Sequence, residues 1–238
     1  MDRPTIIQEP AAIWLYGSSA RGDADAQSDF DVFIASDEPL SVERIVAITQ
    51  ADRTRLAASH YNWAEIDGIA AYGSPFLHHL SAEGHCVAEG VVVLGRLRKI
   101  LDSLGPYLRA GNDLHAFRTA LQDVRKSLDC GGSVPFELSV LGTTLRHASI
   151  LGCFVSGRPC FGRLQAVQRV AELWGLDPVT SYSFESLYRY RLWAVRRKPA
   201  PQEISRSEAF RWCDRLQELL DKLEEQIDVY ESKLHTGD

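Results

Sequence analysis

A chain of 238 residues, 45% hydrophobic and 24% charged, describes a soluble globular protein with material for one large domain or two small ones. Its formal charge of −6 and sequence pI near 5.7 exclude a generic polyanion binder, so nucleic acid is not the default partner. The five cysteines (Cys86, Cys130, Cys153, Cys160, Cys213) are scattered and form no Cys-x-x-Cys pair, which excludes a disulfide frame or zinc site and fits reduced thiols in a cytoplasmic protein.

Met1 to Gln8 is charged, contains Pro4 and lacks the apolar core of a signal segment, and no run approaches membrane-spanning length. Two apolar runs of strand composition follow, Ile13-Trp14-Leu15-Tyr16 and Val32-Phe33-Ile34. Between them stand a turn, Gly17-Ser18-Ser19, a lone Arg21, and an acidic cluster ending in Ser28-Asp29-Phe30-Asp31. At Gly17-Ser18 the missing Cβ lets backbone approach a ligand, and a helix starting at Ser18 to Ala20 would aim free N–H groups at an anion. Arg21 adds a charged fork for phosphate oxygens. Asp29 and Asp31 are two apart on a predicted strand, so both carboxylates leave one face with roughly 7 Å between their Cα atoms. Such a pair repels unless a cation lies between, and Mg²⁺ suits it, taking one or two protein carboxylates and filling its other positions with water and phosphate oxygens.

The string Gly17-Ser18-Ser19-Ala20-Arg21-Gly22, then Ser28-Asp29-Phe30-Asp31 and a hydrophobic run, resembles the signature of the polymerase-β-type nucleotidyltransferases, among them the small prokaryotic members that include the kanamycin nucleotidyltransferase-like enzymes. The resemblance implies Gly17, Ser18, Arg21 and Ser28 as nucleotide-binding residues. It also implies Asp29 and Asp31 as catalytic metal ligands, with a third catalytic carboxylate on the strand after the next crossover.

Asp37 to Ser41 ends the second strand, and Val42, Ile45, Val46, Ile48 and Leu56 recur at helical spacing as a crossover helix. Trp63 to Tyr72 (WAEIDGIAAY) suits a strand, on which Asp67 best fits the third carboxylate, as catalytic residue and metal ligand, with Glu65 the alternative on the same face. Ser74-Pro75 predicts a helix start, and Cys86 to Gly90 a last short strand. His78, His79, His85 and Cys86 suggest a metal site, but adjacent histidines point to different helix faces and no second ligand pair has zinc-like spacing.

From Val92 the texture is helical. Leu94, Leu97, Leu101 and Leu104 form one stripe, and Leu114, Phe117, Leu121, Val124 and Leu128 another that ends at Gly131-Gly132. Ser133-Val134-Pro135 opens a long helix, further helices span about 163–174 and 184–197, and a capping box Ser205-x-x-Glu208 starts the last. The predicted fold is α+β: a nucleotidyltransferase domain with a small mixed sheet over residues 1–91, then an all-α antiparallel bundle over 92–238. That order resembles the kanamycin nucleotidyltransferase-like proteins, whose second, HEPN-like domain helps hold the acceptor. The ribonuclease motif of HEPN bundles has one match in the bundle region, Arg109 to His115, which straddles Gly111-Asn112 in a predicted turn. The basic, aromatic stretch Tyr188 to Lys198 either meets an anionic ligand or solvates the outside of the bundle.

The resemblance implies transfer of a nucleoside monophosphate from a triphosphate, with ATP expected, to a hydroxyl, with two Mg²⁺ ions and release of pyrophosphate. The acceptor is expected to be a small molecule such as an aminoglycoside-like antibiotic, deprotonated by Asp67 or by a bundle carboxylate such as Glu137. Nucleotidyl modification of a protein or RNA, a nucleotide-binding sensor without turnover, and a homodimer formed through the bundle stay open beside it.

Overall fold

The computed structural model describes residues 4–22, 28–196, 201–202 and 204–236. The chain forms two compact units, residues 1–108 and 109–238.

The first unit is built on a five-stranded sheet of order β1-β5-β2-β3-β4. The strands are β1 (Thr5–Ile7), β2 (Ala12–Leu15), β3 (Phe30–Ala35), β4 (Leu56–Tyr61) and β5 (His85–Gly90). The sheet is mixed: β2 runs antiparallel to both β3 and β5, while β1 is parallel to β5 and β4 parallel to β3. Alternation along the strands sorts two cores. Ile13, Val32, Ile34 and Ala88 go to one face and meet Ile45 of α2 (Val42–Thr49). Trp14, Phe33 and Ala35 go to the other and meet Trp63 and Ile66 of α3 (Trp63–Ala70), Leu77 and Leu80 of α4 (Pro75–Glu83), and Leu97 and Leu101 of α5 (Arg96–Asp102). A five-residue helix, α1 (Gly17–Arg21), links β2 to the segment before β3.

Two expectations change here. Leu56 opens a strand and does not close the crossover helix, because α2 stops at Gln50 in the left-handed region (φ 55). The segment Trp63 to Tyr72 is not a strand. Asn62 caps it as a helix, accepting from Glu65 N at 2.8 Å while Glu65 Oε2 accepts from Asn62 N at 2.8 Å, and this reciprocal cap outweighs the strand-like composition. The first compact unit runs to Leu108, and within it Leu97 and Leu101 are buried against the sheet-covering helices.

The second unit contains α6 (Ala110–Asp129), α7 (Val134–Val155), α8 (Arg163–Trp174), α9 (Pro178–Arg196) and α10 (Arg206–Thr236). The predicted turn at Gly111-Asn112 is instead the first turn of α6. Arg118 pairs with Asp221 at 3.0 Å and Arg125 with Asp214 at 2.8 Å, so the partners run in opposite directions and α6 and α10 are antiparallel. Small residues let α7 into the centre: a Cβ on Gly142 would meet Leu187 of α9 at 3.4 Å, and one on Gly152 would meet the Trp174 ring of α8 at 2.4 Å. By length and composition α7 could also cross a membrane, but 67% of its most apolar window is buried inside the protein, the position of a bundle core.

Candidate active site

The predicted phosphate-sized site is built from the end of β2, α1 and the start of β3. Tyr16 N donates to Asp31 O at 3.2 Å, which ties the turn to the strand it precedes. Gly17 follows with φ +70, a conformation natural to glycine, and a Cβ there would stand 2.6 Å from Asp31 Oδ2. The Asp31 carboxylate therefore lies against the bare backbone of Gly17. In register Asp31 is in phase with Phe33 and Ala35, on the face covered by α3, α4 and α5.

Asp29 stands just before β3 with an exposed side chain, and its carbonyl accepts from Ser19 Oγ at 3.4 Å. Ser28 is buried at 7% exposure, and its carbonyl accepts from Arg55 Nε at 3.0 Å and Nη2 at 2.8 Å. Arg55 thereby fixes the start of β3. Sequence reasoning missed this residue, since nothing local marks a residue between α2 and β4 as an anchor for Ser28. Ser18 is half-buried on α1. Arg21, at the other end of that helix, donates through Nη1 to Glu83 Oε2 of α4 at 2.5 Å.

The predicted third carboxylate is not on a strand. Asp67 lies on α3, its side chain 58% exposed and 3.5 Å from Arg96, while the Glu65 carboxylate is engaged in the Asn62 cap. On β4, the strand after the crossover, the residues in phase with Asp31 are Ala57, Ser59 and Tyr61. Among the described residues no three His, Cys, Asp or Glu side chains converge on a metal position. Asp29 and Asp31 are hard oxygen donors that fit one divalent cation completed by water and phosphate oxygens. The structure does not bring Asp67 to join them.

Residues 5–70 match a family model described as nucleotidyltransferase domain. The matched stretch runs from β1 through α3 and so takes in Gly17, Arg21, Asp29 and Asp31. It supports nucleotidyl transfer in general, with a nucleoside triphosphate as co-substrate. No curated protein matches the chain.

In the second unit, Glu137 is buried at 6% exposure and accepts from Ser127 Oγ at 2.5 Å, so its carboxylate is held inside the bundle. Of the basic stretch on α9, Tyr190 is core, Tyr188 lies under the Arg163 guanidinium at 4.8 Å, and Arg189 lines a cavity of about 330 Å³ with Ser183, Ser186 and Trp212. Arg197 and Lys198 lie outside the described residues.

Proposed function

We propose that the chain transfers a nucleoside monophosphate from a triphosphate, with ATP the expected donor, to a hydroxyl of an acceptor. The observation that carries this reading is the Asp31 carboxylate set against Gly17, within a stretch that matches a nucleotidyltransferase domain. Asp29 and Asp31 would hold a divalent cation, which when bound neutralises charge on the phosphate oxygens. Gly17 lets the Asp31 carboxylate close onto the backbone of the turn, and Ser18 and Arg21 would supply a hydroxyl and a guanidinium to the phosphate oxygens. In the reaction the acceptor oxygen bonds to the α-phosphorus as the bond to pyrophosphate breaks and the hydroxyl proton passes to water, so orientation and charge stabilisation suffice without a covalent enzyme intermediate. The kanamycin nucleotidyltransferase-like arrangement, with the second unit holding the acceptor, is part of this proposal.

The test is incubation with Mg²⁺, labelled ATP and a cell extract, following pyrophosphate release and the destination of label. Label on a small molecule that depends on Asp31 supports the reading. Label on protein or RNA would move the acceptor to a macromolecule.

A second reading, a nucleotide binder without turnover, is favoured by one observation: β4 carries Ala57 and Ser59, and no carboxylate, beside β3. Saturable ATP binding with no pyrophosphate from any extract fraction would select it.

A further inference from the structure

Arg21, the guanidinium that the proposal above assigns to phosphate, has a fixed mount. Arg21 ends α1, whose other end is Gly17, and α4 lies on the sheet face to which Asp31 belongs by register. Arg21 Nη1 donates to Glu83 Oε2 at 2.5 Å, and His79 Nε2, one turn back on α4, lies 3.0 Å from the same oxygen. The His79 ring in turn meets Tyr16 edge to face with centroids 5.6 Å apart, and Tyr16 is the residue before Gly17. Glu83 and His79 are well covered, with side chains 19% and 14% exposed, while Arg21 stays more open to solvent. Burial pushes the Glu83 carboxyl up, but the hydrogen bonds from His79 and Arg21 outweigh it and hold the group below the usual carboxylate range. Glu83 is therefore a carboxylate with one oxygen held by two donors.

A guanidinium is planar and carries donors on three nitrogens, so an anchor at one corner sets the plane in which the others are presented. A free arginine side chain has several rotatable bonds, and ordering them on ligand binding costs affinity. We propose that Glu83 is a positioning residue, which with His79 behind it pre-orients Arg21 for the outer phosphates of a nucleoside triphosphate. This rests on the nucleotidyltransferase reading above. The alternative role for the same contact is competition, in which Glu83 masks the charge that phosphate would use.

The two roles predict opposite changes in one ratio, the affinity for ATP over that for AMP, measured by calorimetry in Mg²⁺ on the full chain. Arg21 acts on the phosphates that AMP lacks. Glu83→Ala should cut the preference for ATP by about tenfold, the usual size of one charged hydrogen bond, with AMP affinity within about twofold of the parent. Glu83→Gln keeps the shape and an acceptor oxygen, guards against a folding defect in the alanine variant, and should lower the preference less. His79→Gln should lower it in the same direction. An unchanged ratio in folded Glu83→Ala and Glu83→Gln would overturn the positioning role, and a raised ratio would replace it with competition. If the parent chain binds ATP no better than AMP, the nucleotidyltransferase reading falls, and this role with it.

Discussion

The carboxylate of Asp31 stands where a side chain on Gly17 would begin, with Oδ2 2.6 Å from that Cβ position. Gly17→Ala therefore meets two penalties, a left-handed backbone costing an L-residue about 1–2 kcal/mol and a contact that must displace Asp31. The variant should melt a few degrees lower and lose at least about tenfold in Mg²⁺-dependent ATP affinity, by calorimetry. Unchanged affinity in the folded variant would mean that Gly17 does not place Asp31.

Asp31→Asn keeps the shape but removes a charged oxygen donor. It should fold normally and abolish pyrophosphate release, with Asp29→Asn acting in the same direction. Full turnover in Asp31→Asn would remove the proposed chemistry.

Asp67 sits in an exposed ion pair with Arg96, a class of interaction worth about 0–1 kcal/mol. Asp67→Asn should leave the rate within about threefold, whereas loss of a general base typically costs a hundredfold or more. Glu65→Ala should lower stability by about 0.5–1 kcal/mol through the lost cap, read from the denaturant midpoint. A hundredfold slower Asp67→Asn enzyme would restore Asp67 as the third carboxylate.

Burial pushes the thiols of Cys86 and Cys153 up to about 12 and that of Cys213 to about 11, while Cys130 is exposed. Since the thiolate is the reactive form, a disulfide reagent at pH 8 should label Cys130 quickly and the other three only on unfolding. The raised values also set a sign. Below about pH 9 the thiols are protonated in both states, and as pH rises toward 12 only the unfolded chain ionises, so stability falls across that window. Equal labelling rates for Cys130 and Cys153 in the native chain would contradict the burial.

In the second unit, Gly152→Ala would drive a methyl into the Trp174 ring, at 2.4 Å from Cη2. Overpacking of this kind costs about 1–3 kcal/mol, and a denaturant midpoint unchanged by the substitution would show that Trp174 can move aside.

The sequence by itself determined the parts whose physics is local. A glycine turn followed by Ser, Arg and two aspartates is chemistry written within fifteen residues, and a period near 3.6 in Leu, Val and Phe places helices before any packing is known. The helix at Trp63 was also locally legible, since Asn62-x-x-Glu65 is a capping signal, but the composition of the segment pointed to a strand and β-propensity follows context. Only the tertiary structure decided the rest, because it depends on residues far apart in the chain. Pairing of β3 with β4 puts Ala57 and Ser59, not a carboxylate, beside Asp31 and Phe33. Packing of α4 on the sheet brings Glu83 to Arg21 across 62 positions. A side chain's charge is a property of its type, but whether that charge serves as ligand, anchor or cap depends on which neighbours the fold sets within about 3 Å of it.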